Sequence, residues 1–182
     1  MNEVQPIRDK RKISSMKKHL HGRNKLLFVL GINLGLRISD LLALKVSDFF
    51  ELNGRFKKHL VVTEQKTGKT RRIALSAAVK KEIKAQDIEY SEDAYMFPSR
   101  KGGNPIGRVQ AYRVLNEAAA RSGVSELGTH TLRKTFGYHA YKGGTSLTNL
   151  QKVFGHSSEK HTMRYIGITQ DNIDNVYTGL NL

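Results

Sequence analysis

The stretch from Asn24 to Leu44, NKLLFVLGINLGLRISDLLAL, is apolar at helical spacing and contains a single arginine. Leu27, Leu30 and Leu34 share a face, joined by Leu26 and Val29. That spacing predicts a core helix over 24–35, stopped by Gly35. Ser39 is placed to cap a short second helix carrying Leu41, Leu42 and Leu44. Arg37 then sits in a tight junction between two apolar helices. A guanidinium there is not freely solvated and needs a partner. Asp40, three residues on, is the local candidate. Either the two form a structural pair, or Arg37 points into an anion pocket and Asp40 buttresses the junction.

The apolar period changes after Lys58. HLVVTEQ, KTGK and TRRIALS read as strand, turn and strand, with Lys66 at or beside the tip and Gly68 supplying the turn. Ser76 caps a helix over 77–86. Residues 88–105 form a long loop. Helices follow over 107–122, from Thr129 to the Gly143–Gly144 pair, and from Ser146 to Gly155. A last helix starts at Ser157 or Ser158, and a weak one lies near 171–177. The chain therefore reads as mainly α with a small antiparallel β-sheet (α+β). It reads as one domain over 1–182, with a polar lead-in at 1–12 and a tail at 167–182.

Charge narrows the function. The 182 residues carry 31 Lys and Arg against 16 Asp and Glu, a formal charge of +15. Such an excess is the electrostatic footprint of a nucleic-acid binder. No run of the sequence has the length and apolarity of a bilayer span, and no apolar N-terminal signal region is visible. With no cysteine there is no disulfide frame, thiolate metal site or cysteine nucleophile. This composition is compatible with a reducing cytoplasm.

Three further pieces carry candidate chemistry. GTHTLRKTFGYHA sets His130 three residues before Arg133, one turn apart on a helix. Arginine presents a planar fork that matches two phosphate oxygens, and histidine moves protons near neutral pH. Alone, the pair reads more readily as a solvated face of a basic protein. Lys134 reads as solvated. FGHSSEKHTMRYIG puts His156 in a loop after Gly155, and Tyr165 nine residues later near the end of a helix. A phenol is a poor nucleophile until nearby cations stabilise its phenolate. The plain alternative is a helix-turn-helix with a core tyrosine, His161 and Arg164 lying on the surface.

Together, Arg37, Lys66, His130, Arg133, His156 and Tyr165 form an ordered set along nearly the whole chain. The sequence resembles the catalytic domain of the tyrosine recombinases, the phage-integrase family. GLRISD matches the family's first-arginine segment, and QKTGKTR its hairpin lysine. HTLR matches its H-x-L-R, FGHSS its LGHSS, and Tyr165 its nucleophile spacing. Asp40 stands where glutamate is usual, and Phe154 where leucine is usual before Gly-His. The family's N-terminal core-binding domain, which closes a clamp on DNA, is expected to be absent.

The resemblance implies the fold of DNA breaking-rejoining enzymes and a site-specific recombinase acting without metal, ATP or any cofactor. Arg37 and Arg133 would clamp the non-bridging phosphate oxygens, and His156 would add a hydrogen bond. His130 would take the proton of Tyr165, and Lys66 would protonate the leaving 5′ oxygen. The implied partners are double-stranded DNA and further copies of the chain, assembled as a tetramer on DNA. The implied location is the cytoplasm, at the nucleoid, for a bacterial or phage-encoded protein. Lys57, Lys58, Lys69, Arg71, Arg72, Lys101 and Arg108 are candidate backbone-phosphate contacts. Ile173 and Val176 in the tail would dock on a neighbouring subunit or fold back on their own domain. Two rival readings stay open: a non-catalytic DNA-binding regulator competing with a full-length integrase, and a type IB topoisomerase-like relaxing enzyme.

Overall fold

A computed structural model of the chain describes residues 4–125, 127, 128, 130–168 and 177–179. Three helices come first: α1 (Lys10–His19), α2 (Gly22–Leu34) and α3 (Ile38–Leu42). A hairpin of β1 (His59–Thr63) and β2 (Thr70–Ala74) follows, then α4 (Ala77–Lys84). The second half is helical: α5 (Arg108–Arg121), α6 (Thr131–Lys142), α7 (Leu147–Phe154) and α8 (Glu159–Tyr165). The strands pair antiparallel, with Leu60 opposite Ile73 and Val62 opposite Arg71. The fold is thus mainly α with a two-stranded antiparallel sheet. No helix among the described residues is long and apolar enough to cross a membrane.

Local signals set most boundaries. Gly35 stops α2 and Gly155 stops α7, both in left-handed backbone at φ 62° and 68°. Ser76, Ser146 and Ser158 each accept a hydrogen bond from a backbone N–H in the first turn of the helix they cap. Two expectations are corrected. Ser39 is not a cap, because α3 begins one residue before it and Arg37 occupies the cap position in extended backbone. Residues 1–12 are not simply a lead-in. Asp9 caps α1, which buries Ile13 and Met16, while Pro6 and Ile7 are already buried. The basic composition of KRKISSMKKH hides that narrow apolar stripe. The weak helix near 171–177, the positions of Ile173 and Val176 and the cap at Thr129 lie outside the described residues.

α2 is the central element. It buries Leu26, Leu27, Phe28, Val29, Leu30 and Leu34, which point all around the helix rather than along one stripe. One main cluster surrounds it, drawing on α1, α3, β1, α4 and α5. A second cluster of Leu150, Phe154, Ile166 and Ile168 binds α7 and the end of α8 to α6. Close approach of α6 to α2 depends on two glycines. A Cβ at Gly31 would lie 2.5 Å from Leu132 Cδ1, and one at Gly35 would lie 2.5 Å from Phe136 Cδ1. This contact carries the start of α6, and hence His130 and Arg133, to the α2–α3 junction that holds Arg37.

Gly35→Ala therefore combines backbone strain with a steric clash, and we expect it to cost roughly 2–4 kcal/mol of stability. Gly123→Ala, also at φ +62 but with nothing within 4 Å of the added carbon, carries only the strain. It should cost about 1–2 kcal/mol. Urea unfolding of the two variants against wild type checks the difference.

Candidate active site

Buried carboxylates and backbone carbonyls bring the basic residues together. Leu60, Val62 and Glu64 follow one another on the inward side of the hairpin, and Arg71 and Ile73 lie on the same side of the partner strand. Glu64 is wholly buried. Its Oε2 lies 2.8 Å from Arg37 Nη1 and accepts from Thr67 Oγ1 at 2.6 Å. Its Oε1 accepts from Arg71 Nε at 2.6 Å and lies 4.0 Å from Arg133 Nη1. Against the cost of burial, Thr67, Arg37 and Arg71 hold the carboxyl down at about 2. The partner of Arg37 is therefore Glu64 and not Asp40.

Asp40 has a different task. It is buried, and its Oδ1 accepts from the backbone N–H of Gln65 at 3.0 Å. That bond ties α3 to the residue next to Lys66. The turn is also closed by Gly68 N–H to Glu64 O at 2.8 Å and Glu64 N–H to Lys69 O at 3.0 Å. Lys66 is thus an exposed side chain on a firmly anchored turn.

Arg133 stands in the first turn of α6 with its side chain 5% exposed. Nη1 donates to the carbonyl of Gly35 at 2.8 Å, and Nη2 to that of Phe154 at 3.2 Å. These carbonyls lie at the C-terminal ends of α2 and α7, where the helix dipoles are negative. One guanidinium thereby joins two helix ends that are far apart in sequence. Arg71 adds a third tie, donating to Lys152 O at 3.3 Å.

His130 precedes α6 and takes its N-cap position. Its Nδ1 lies 3.1 Å from Tyr165 Oη, across 35 residues of sequence. Partial desolvation lowers the pKa of His130, helped by Arg133, Lys134, Arg37 and Lys66. Burial raises the pKa of Tyr165, opposed by Arg133 and Arg37. In this state the pair is a neutral imidazole beside a neutral phenol. Lys134, expected to be solvated, is instead buried with Nζ 5.3 Å from the centre of the Tyr165 ring. It lies on the inner side of α6, in the first turn that also carries Arg133.

His156 follows the left-handed Gly155, and its ring lies 4.9 Å from that of Tyr165. Thr162 Oγ1 gives its only proton to Ser158 O at 3.2 Å, so it accepts from His156 Nδ1 at 3.1 Å. The neutral ring then carries its lone pair on Nε2. Burial, then the parallel ring of His161 at 4.3 Å, then Arg133 and Arg37, push His156 down to about 4.

Arg37, Lys66, His130 and Arg108 line one open cleft of about 820 Å³. Tyr165 and Arg133 adjoin it through His130 and Glu64. All six proposed catalytic side chains therefore belong to one connected constellation. The other candidate DNA contacts divide. Lys58, Lys69, Arg72 and Lys101 are exposed, with Arg72 beside His59 at 3.2 Å. Lys57 donates to Ser47 O at 2.8 Å. Arg71 points inward to Glu64. Sequence reading missed Glu64 and the inward turn of Arg71, although the alternation Leu60, Val62, Glu64 was the available signal. A carboxylate at a core position of a strand requires cations around it.

The two low pKa values fix an acid response. Between about 6.5 and 4, unfolded chains bind a proton that native His156 refuses, so stability falls as pH drops through that window. Between about 4.5 and 2, unfolded chains protonate while native Glu64 stays ionised, so stability falls again. Melting temperature should decline in both windows. His156→Gln should lessen the first, leaving the part that the lowered His130 contributes, without changing the second; thermal melts from pH 7 to 3 check this.

The phage integrase family model matches residues 4–171. The probable integrase/recombinase YoeC of Bacillus subtilis is 48% identical over 174 residues, covering 94% of this chain and 93% of YoeC. Among solved structures, the XerA recombinase superposes with a TM-score of 0.73 at 17% identity, covering 100% of this chain and 66% of XerA. A lambda integrase tetramer bound to a Holliday junction gives 0.67 at 22% identity, covering 92% of this chain and 50% of that one. At these identities the solved structures speak for the fold, and the chain spans only half to two thirds of their length. The extent of the family match and the likeness to YoeC together establish that this chain belongs to the phage integrase family of tyrosine recombinases.

Proposed function

We propose that the chain is a site-specific DNA recombinase whose nucleophile is Tyr165. The observation that carries this reading is the 3.1 Å contact between Tyr165 Oη and His130 Nδ1, beside a cleft lined by Arg37 and Lys66. A neutral imidazole with Nε2 protonated accepts the phenolic proton at Nδ1, so base and nucleophile are already paired.

The reaction follows in balanced steps. Tyr165 Oη attacks a backbone phosphorus while His130 takes its proton. Arg37 and Arg133 hold the non-bridging oxygens and offset the charge that develops on them. His156 meets a phosphate oxygen through Nε2, which requires that nitrogen to be protonated. A nearby phosphate dianion-like centre favours that proton, opposing the burial that removes it in the free protein. The bond from phosphorus to the 5′ oxygen breaks, and Lys66 supplies the proton to the departing hydroxyl. The product is a 3′-phosphotyrosyl link that conserves the bond energy, so a 5′ hydroxyl of another strand reverses the step and completes exchange. Asp40 positions Lys66 through Gln65. The net charge of +15 and the exposed Lys58, Lys69, Arg72 and Lys101 suit a backbone track on duplex DNA. Assembly of several copies on DNA is part of this reading, supported by the lambda integrase tetramer on its junction.

The test is a pool of duplexes nicked so that the short fragment bearing the freed 5′ hydroxyl diffuses away after cleavage. Wild type should leave a protein–DNA adduct that survives denaturation, and Tyr165→Phe should leave none. Absence of an adduct with DNA binding intact favours a regulator instead. Lys66→Met should slow adduct formation about 100-fold or more on oxygen substrates. A bridging sulfur at the 5′ position, whose thiolate leaves without a proton, should restore most of that loss; persistence of the defect rules out Lys66 as the acid.

A further inference from the structure

Glu64 has no role in the reaction as derived, yet it is the carboxylate around which the reactive cations are arranged. Its two oxygens take short contacts from Arg37, Arg71 and Thr67 and a longer one from Arg133. An isolated carboxylate beside a phosphate-binding pocket works against anion binding, by Coulomb repulsion. Its burial there calls for a counterbalancing gain. Three guanidiniums gathered without a phosphate repel one another, and in the free protein they would splay into solvent or into other contacts. Glu64 removes that tendency.

We propose that Glu64 is a positioning residue, which holds the Arg37 guanidinium and the Lys66 turn in reactive register, beside the carbonyl-held Arg133, before DNA binds. The proposal rests on the recombinase reading above. Each part of it has an observed attachment. Arg37 is fixed from the α2–α3 junction. Arg133, fixed by the carbonyls of Gly35 and Phe154, stands 4.0 Å from the same carboxylate. The Lys66 turn is held through Thr67 Oγ1, on one side of the lysine, while Asp40 holds Gln65 on the other. Arg71 passes the constraint on to α7, since it bonds Glu64 with Nε and Lys152 O with Nη1. Its Nη2 also comes within 3.3 Å of where a Cβ on Gly155 would stand, next to His156. Arg71 is thus a brace between the hairpin and the His156 turn. Donors fixed before the reaction need no reorganisation as charge develops, and small misplacements of such groups carry large rate penalties.

The prediction has two opposite signs, which an ordinary stabilising ion pair does not produce. Glu64→Gln keeps the side-chain shape and removes the charge. On the DNA recovered from the wild-type adduct, its single-turnover cleavage at saturating protein should fall roughly tenfold or more. Affinity, measured in a Tyr165→Phe background, should stay equal or become tighter, because an anion has left a phosphate pocket. Cleavage by folded Glu64→Gln at the wild-type rate overturns the proposal. Rate and affinity falling together, in step with the folded fraction, also overturns it. Should Glu64→Gln fail to fold, Glu64→Asp decides. One methylene shorter, it keeps the charge but cannot reach Arg37 and Arg71 at once. Slowed cleavage with affinity retained supports the proposal, and a wild-type rate overturns it. If wild type itself forms no adduct, the recombinase reading fails first and takes this proposal with it.

Discussion

The cluster of guanidiniums around Glu64 is the constraint on which the rest of the site depends. A buried carboxylate is stable only when charged partners and hydrogen bonds replace its water. Here those partners come from the α2–α3 junction, the hairpin and α6, so satisfying one side chain fixes three segments against each other. Arg133 extends the same logic with neutral acceptors. By bonding the carbonyls at the ends of α2 and α7, it closes the gap between the main core and the smaller cluster beneath α8. The polar interior is therefore a structural frame that also presents positive charge to the cleft.

The two titratable partners of Tyr165 are tuned in the same direction by the same neighbours. Burial and cations push His130 and His156 toward the neutral form, and burial keeps the phenol protonated. The two histidines and the phenol beside the cleft are thus all biased toward their uncharged forms in the free protein. In the proposed reaction a phosphate entering the cleft would reverse that bias, because its negative charge would favour the protonated His156 and pair with Arg37 and Arg133. The stacked ring of His161 belongs to this balance, since it lies against His156 and disfavours a positive charge on it.

Legibility from sequence followed the range of the interactions. Helix stops at Gly35 and Gly155, serine caps at Ser76, Ser146 and Ser158 and the hairpin around Gly68 are local, and each was readable from a few neighbouring residues. The ordered set from Arg37 to Tyr165 was readable because residue types and spacings match a known pattern. Helix α1 was missed because two buried residues in a lysine-rich segment give little periodic signal. Lys134 was misjudged because its neighbour sequence is polar, whereas the ring of Tyr165 that covers it comes from thirty-one residues away.

The sequence by itself determined the mainly helical class and the positions of the turns, because propensity, capping and period act within a turn or two, and it supplied the candidate site residues through their match to a known pattern. Only the tertiary structure decided which charges face one another. Arg37 had Asp40 within one turn, yet it pairs with Glu64, and Asp40 instead holds the backbone beside Lys66. The choice is made by packing of α2 against α3 and α6, with the hairpin's Leu60 and Val62 in the same core, which removes water from Glu64 and leaves the arginines as the groups able to replace it.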